Sequence, residues 1–268
     1  MTHHIPKVIT FSGIAAALLF VVCASFWYKY EYKTEIVTSK SSSVVLPPRV
    51  VTISKKTDTY SVTLEYPYIS ETLGAVANEY FKNYYSSSSD RFIHDVQESL
   101  ANNDLPEELK KGAASYYTVS THIVASTSEY SSFLVTGESY FVGSAHPSHS
   151  IDTFIFDKKN KKLVTVKDLF TDPSYVSVLA KASIAYFTSR NATLGVDDFK
   201  VDTSSSNEGF APTSLNYSKI LPTEKGLVIY FDEYQVAPYV AGPQEALIPY
   251  ATLQSIINKD GVLGEYSK

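Results

Sequence analysis

Residues Val8 to Trp27 form an unbroken run of about twenty residues without a charged side chain, starting directly after Lys7. As a helix rising ~1.5 Å per residue, such a run spans the ~30 Å hydrocarbon core of a bilayer. It constrains everything after it: about 240 residues are expected to fold outside the cytoplasm, held to a cell membrane by one N-terminal span. The residues leave two alternatives open. Val22-Cys23-Ala24 fits a small-x-small cleavage site, so the segment could be removed as a signal peptide and the rest secreted. A lipid on Cys23 would anchor the chain differently, although Phe20-Val21-Val22 is bulky for a lipoprotein signal. The length of the run and the interfacial aromatics Phe26-Trp27-Tyr28 favour an uncleaved span. Lys7 before it and Lys29 and Lys33 after it give no orientation by the positive-inside rule. A large folded domain is translocated largely regardless of a few flanking charges, so the external placement stands as the expectation.

Hydrophobic residues at 44% and charged residues at 19% describe a globular domain with a core of its own. That core must carry the stability, because the only cysteine, Cys23, lies in the apolar run, which excludes external disulfides and a thiol nucleophile. A net charge of −5 without a Lys/Arg cluster argues against nucleic acid as a partner. The 21 tyrosines suit half-buried sheet positions and binding surfaces.

Four segments follow from the pattern: an anchor or signal segment over 1–28, a tether over 29–50, and two halves over 51–142 and 143–268. Thr38 to Ser43 and Pro47-Pro48 make the tether polar and locally stiff. Beyond it, Val62, Leu64 and Tyr66 alternate as a strand. Ser70 is expected to cap a helix in which Leu73, Val76, Ala77, Tyr80 and Tyr84 share a face, with Ser86 to Ser89 breaking it and Phe92, Val96 and Leu100 on a second helix or its continuation. Tyr117 to Ile123 and Ser131 to Phe141 read as strands joined by a turn at Ser126 to Tyr130. In the second half, Ile151 to Asp157 and Leu163 to Val166 bracket a basic turn at Lys158 to Lys162. Asp172-Pro173 starts a helix with Tyr175, Val178, Leu179, Ala182 and Tyr186 on one stripe. A loop at Asp197 to Phe210, a hairpin of Leu215 to Leu221 with Leu227 to Phe231, a strand at Glu245 to Pro249 and a last helix at Leu253 to Ile257 complete the chain. Hairpins with interspersed helices predict an α+β fold, with largely antiparallel sheets and amphipathic helices packed on one side, after the single N-terminal transmembrane helix.

Two clusters carry candidate chemistry. In Gly143-Ser144-Ala145-His146-Pro147-Ser148-His149-Ser150-Ile151-Asp152, His146, His149 and Asp152 suggest a metal-assisted hydrolase as one alternative. Pro147 and the strand after it would splay those ligands, so neither a metal nor another cofactor is expected. In Tyr234-Gln235-Val236-Ala237-Pro238-Tyr239-Val240-Ala241-Gly242-Pro243-Gln244-Glu245, prolines and a glycine fix a non-helical path on which Tyr234, Tyr239, Gln244 and Glu245 can face a partner. No nucleophile elbow, P-loop or dinucleotide fingerprint occurs, and Asp157, Asp168, Asp232 and Glu233 share no diagnostic spacing. No catalytic set is assigned.

Gly143-Ser144-Ala145-His146-Pro147, Ile155-Phe156-Asp157, Asp168-Leu169-Phe170 and Tyr239 to Glu245 followed by Ile248-Pro249-Tyr250 resemble the signature of a bacterial extracytoplasmic family. This is domain-of-unknown-function family 3298, found in RsiV-type anti-sigma factors and PdaC-type peptidoglycan deacetylases, and the resemblance covers Val51 to Ile257. The first half is similar to the PdaC-like part and the second to the RsiV-like part. Where that family has a second glycine, this chain has Ser144, which tolerates positive φ poorly. The resemblance implies an external module that binds a cell-wall glycan or a lysozyme-like protein. With so few residues ahead of the span a sigma factor is not an expected partner, and a separate deacetylase domain is not expected either. The expectation is a non-catalytic sensor or binding module contacting its ligand through His146, His149, Tyr234, Tyr239, Gln244 and Glu245. A wall-polymer hydrolase and an envelope scaffold are the alternatives.

Overall fold

The alternating segments build two sheets in the computed structural model, which describes residues 49–70, 73–102, 114–195 and 198–266. The span predicted at Val8 to Trp27 and its tether up to Pro48 lie outside the described residues. Among those described, no helix is long and apolar enough to cross a membrane.

The first sheet holds six strands in chain order: β1 (Val50–Lys56), β2 (Tyr60–Pro67), β3 (Ser115–Ser126), β4 (Tyr130–Tyr140), β5 (Ser148–Asp157) and β6 (Lys162–Val164). Every neighbouring pair is antiparallel except β2 and β3, which run parallel. Parallel neighbours need a crossover, and the 28-residue helix α1 (Gly74–Ala101) lies within it. The fold is therefore α+β with a mixed sheet and few helices.

Two local expectations are corrected in α1. Ser70 does not cap it: the helix starts after Leu73 without a side-chain cap. The Asn78 amide instead braces the approach, accepting from Ile69 N–H at 2.9 Å and donating to Ile69 C=O at 2.8 Å. Nor does the serine run break the helix. Ser88 Oγ donates back to Tyr84 C=O at 2.9 Å, which satisfies its hydroxyl within the helical ladder. Ser89 faces inward and is buried.

The pleat explains the layering. On β4 and β5, Phe133, Val135, Phe154 and Phe156 point to one face of the sheet, while Leu134, Ile151 and Ile155 point to the other. The first set packs on Ala77, Phe81, Tyr85, Phe92 and Val96 of α1. Phe81 meets Phe133 edge-on, with ring centroids 5.0 Å apart at 75°, a favoured aromatic geometry. The second set requires its own cover. It comes from α2 (Tyr175–Thr193) and a second, antiparallel sheet of β7 (Ile220–Thr223), β8 (Gly226–Phe231) and β9 (Gln244–Ile248). Phe187 of α2 anchors this core against Phe210 and Phe231, each at 5.7 Å. The two long helices thus belong to cores on opposite faces of the first sheet, which corrects the one-sided packing. Strands with apolar residues at both parities cannot be satisfied by a single helical layer.

Leu215 to Lys219, expected as strand, is irregular chain. The Asn216 amide ties it back by donating to Glu208 C=O at 2.8 Å and Ala211 C=O at 3.0 Å. The C-terminal helix is one turn, α3 (Tyr250–Leu253), yet Leu253, Ile256 and Ile257 are buried in the second core.

Candidate functional site

The turn before β5 and the segment after β8 meet at one end of the first sheet. Gly143 carries the turn's positive φ, 95°, and Ser144 stays at negative φ, so the substituted glycine costs no strain there. The turn delivers His146 onto Tyr239, the two rings stacking with centroids 3.7 Å apart at 25°. His146 Nδ1 lies 2.9 Å from Pro147 C=O, and Tyr239 O–H donates to the same carbonyl at 2.8 Å. Tyr234 extends the stack, its ring 5.7 Å from Tyr239 at 29° and its hydroxyl 3.3 Å from His146 Nε2.

Tyr234 is held there by a tight turn. Gln235 N–H donates to Asp232 C=O at 3.1 Å, and the Gln235 side chain accepts from Asp232 N–H at 3.0 Å. Tyr234 occupies the third position of this turn with φ 64°, where a type II turn takes Gly or Asn. A tyrosine there costs roughly 1–2 kcal/mol. Its side chain is 65% exposed, so burial does not repay that cost.

Beside the stack lies a bridge of charged groups. Register pairs His149 with Glu138, and on the pleat both point away from α1. His149 Nε2 is 3.3 Å from Glu138 Oε2, while Nδ1 contacts a carboxylate oxygen of Glu233. His149 N–H donates to the other Glu233 oxygen at 3.0 Å. When the ring is protonated, both nitrogens donate, and one imidazolium satisfies two carboxylates. Tyr116 O–H donates to Glu138 from β3. Burial first, then the hydrogen bond to Glu138 and that carboxylate's charge, push the Tyr116 hydroxyl up to about 12. Tyr116 in turn stacks on Tyr140 across the strands at 5.8 Å and 27°.

Asp152 does not join the histidines. Three residues after His149 on an extended strand, it points to the opposite face, where it accepts from Tyr84 O–H of α1. Burial raises the Asp152 carboxyl above its ordinary value, against the lowering effect of the Tyr84 hydrogen bond. His146, His149 and Asp152 therefore do not form a ligand set. Ligand atoms of His94, Asp95 and Glu98 do approach one another, on the exposed surface of α1.

Of the six residues expected at the site, His146, His149, Tyr234 and Tyr239 come together. Gln244 is buried and structural: its amide donates to Ala241 C=O at 2.7 Å and Gly242 C=O at 3.1 Å, and accepts from Arg190 of α2 at 2.9 Å. Glu245 is exposed on β9, on the pleat face opposite Gln244. In the sequence Glu233 stands as an isolated carboxylate, and no local motif singles out Glu138, Tyr116 or Tyr140. They lie on three segments, Tyr116 on β3, Glu138 and Tyr140 on β4 and Glu233 after β8, and only the pairing of β3, β4 and β5 gathers the first three beside His149. Their one local signal was a carboxylate and aromatics at strand positions of equal parity.

Fold and site together describe an α+β protein with an aromatic, carboxylate-lined surface at one end of a mixed sheet. Comparison with known proteins carries this further. Residues 53–149 match the family described as deacetylase PdaC, and residues 167–251 match the protein family of unknown function DUF3298. It is 24% identical over 250 residues to the peptidoglycan-N-acetylmuramic acid deacetylase PdaC of Bacillus subtilis, covering 90% of this chain but 50% of that protein's length. The chain therefore spans about half of that relative. It is also 22% identical over 180 residues to the immunogenic protein MPT64 of Mycobacterium tuberculosis, covering 66% of this chain and 71% of MPT64. A crystal structure of a DUF3298 family member from Bacteroides fragilis shares the fold, with a TM-score of 0.54 and 16% identity over 83% of this chain and 97% of its own. Of the residues that carry the resemblance, Gly143 to Pro147 lie in the first match, Asp168 to Phe170 and Tyr239 to Tyr250 in the second, and Ile155 to Asp157 between the two.

Proposed function

We propose that this chain is a non-catalytic, membrane-anchored extracytoplasmic module that binds a cell-wall component or an enzyme acting on the wall. The observation that carries the reading is the stack of Tyr234, Tyr239 and His146, which presents an exposed tyrosine at a strained backbone position. Strain of that kind persists where the surroundings over-determine it, and it clusters at ligand-contacting positions. The likeness to a peptidoglycan deacetylase supports the wall as the setting. The residues around the stack favour binding over chemistry. Glu138 and Glu233 both contact His149, so each carboxylate already has a protein partner. The Val8 to Trp27 run supports anchoring.

The test is binding of the full-length chain to purified peptidoglycan and to lysozyme, with His146→Ala and Tyr239→Ala beside the parent. Removing either ring from a 3.7 Å stack is expected to weaken binding by about tenfold while far-UV circular dichroism is unchanged. Parental affinity in both variants would sink the assignment of this surface.

A further inference from the structure

Resting on that reading of the surface, we propose that its ligand is an uncharged linear glycan and that the site extends to a second aromatic platform, Tyr116 and Tyr140. Register places Glu138, Tyr116 and Tyr140 on the same face of the sheet as His149, since Tyr116 pairs with Tyr140 and Glu138 with His149. At one end Tyr239 and Tyr234 stack at 5.7 Å and 29°. At the other Tyr116 and Tyr140 stack at 5.8 Å and 27°. With strands ~4.8 Å apart and residues on one face ~6.8 Å apart, the surface is longer than a single sugar ring.

Between the two platforms lie carboxylates that already have protein partners. Glu138 receives Tyr116 O–H and faces His149, and Glu233 contacts the other side of that imidazole. A surface that exposed free carboxylates would select a cation, and one with free lysines an anion. Here both carboxylates are engaged by protein groups and keep spare acceptor capacity, while the flanking rings offer flat apolar faces. A saccharide has the complementary chemistry: hydroxyl and amide groups around its edge and a C–H face that packs on aromatic rings. Half-buried Tyr116 and Tyr140 would then bind the sugar units beyond the one on Tyr239.

The experiment is calorimetric titration of the full-length chain, in a non-glycosidic detergent, with N-acetylglucosamine oligomers of two and six units. The six-unit oligomer is expected to bind about tenfold more tightly than the two-unit oligomer, because it covers both platforms at once. Tyr140→Ala should abolish that gain with the two-unit affinity unchanged, Tyr140→Phe should keep it, and Tyr239→Ala should weaken both. A thermal melt of each variant separates lost binding from lost fold. Equal affinity for the two oligomers, or a gain that survives Tyr140→Ala, overturns the extended site while the functional reading stands. Binding to lysozyme but to neither oligomer overturns the glycan assignment and leaves a wall-acting enzyme as the ligand. No binding to oligomers, peptidoglycan or lysozyme overturns both.

Discussion

Tyr234 allows the strain argument to be tested apart from any ligand. With φ at 64° it lies where an L-residue other than Asn or Asp is disfavoured by about 1–2 kcal/mol, and glycine is not. Substituting it with alanine removes the ring and keeps the strain, whereas glycine removes both. The ring is 65% exposed, so its loss is nearly the same in the two variants and cancels in the comparison. What remains is relief of about 1–2 kcal/mol, less roughly 0.5–1 kcal/mol for the greater freedom of unfolded glycine. Tyr234→Gly should therefore be more stable than Tyr234→Ala by about 0.5–1 kcal/mol, a difference of about 2–4 °C in Tm per kcal/mol at this size. At Leu215, which is exposed and outside the positive-φ region, the order should reverse. Paired thermal melts of the four variants give the answer. If alanine equals or exceeds glycine at Tyr234, the backbone there is not strained, and exposure alone remains as the argument for a contact residue.

Other expectations concern the cores. Asp152→Asn should keep the Tyr84 hydrogen bond and remove a buried ionisation. Because burial raises the folded carboxyl above its ordinary 3.8, the native state binds the proton more tightly than the unfolded chain, and stability falls as pH rises from that value through the raised one. The asparagine variant should therefore be the more stable at neutral pH, with the advantage shrinking towards acid in urea titrations; an advantage that grows towards acid would refute it. Gly209→Ala would set a Cβ 1.8 Å from Gln235 C=O, and a loss of about 1–3 kcal/mol is expected in denaturant midpoints. Phe81→Ala, at the aromatic centre of the α1 core, should cost about 3–5 kcal/mol by the same measurement.

The strands were legible because their alternation is long and regular, as at Val62 to Tyr66 and Tyr117 to Ile123. Boundaries failed where side chains supply what the backbone pattern lacks: Ser88 repairs the serine run within α1, and Asn78 replaces the expected cap. The site was half legible. Two proline-bearing turns announced His146 and Tyr239, since fixed backbones beside aromatics are visible locally. Glu138 and Tyr116 were not visible, because they reach His149 only through strand register, and register is a property of paired segments. Gln244 misled for the opposite reason: an amide in a loop looks like a contact residue until its carbonyl partners are known.

The central sheet has a consequence for how such a protein could have been assembled. Residues 53–149 and 167–251 match two separate families, yet β4 and β5 present one side to each core. The wall between the two regions is common property. A substitution on β5 alters the lining of one compartment directly and the other through the shared backbone. The two matched stretches are therefore separable along the chain but not in space, and damage at that wall is expected to reach both cores at once.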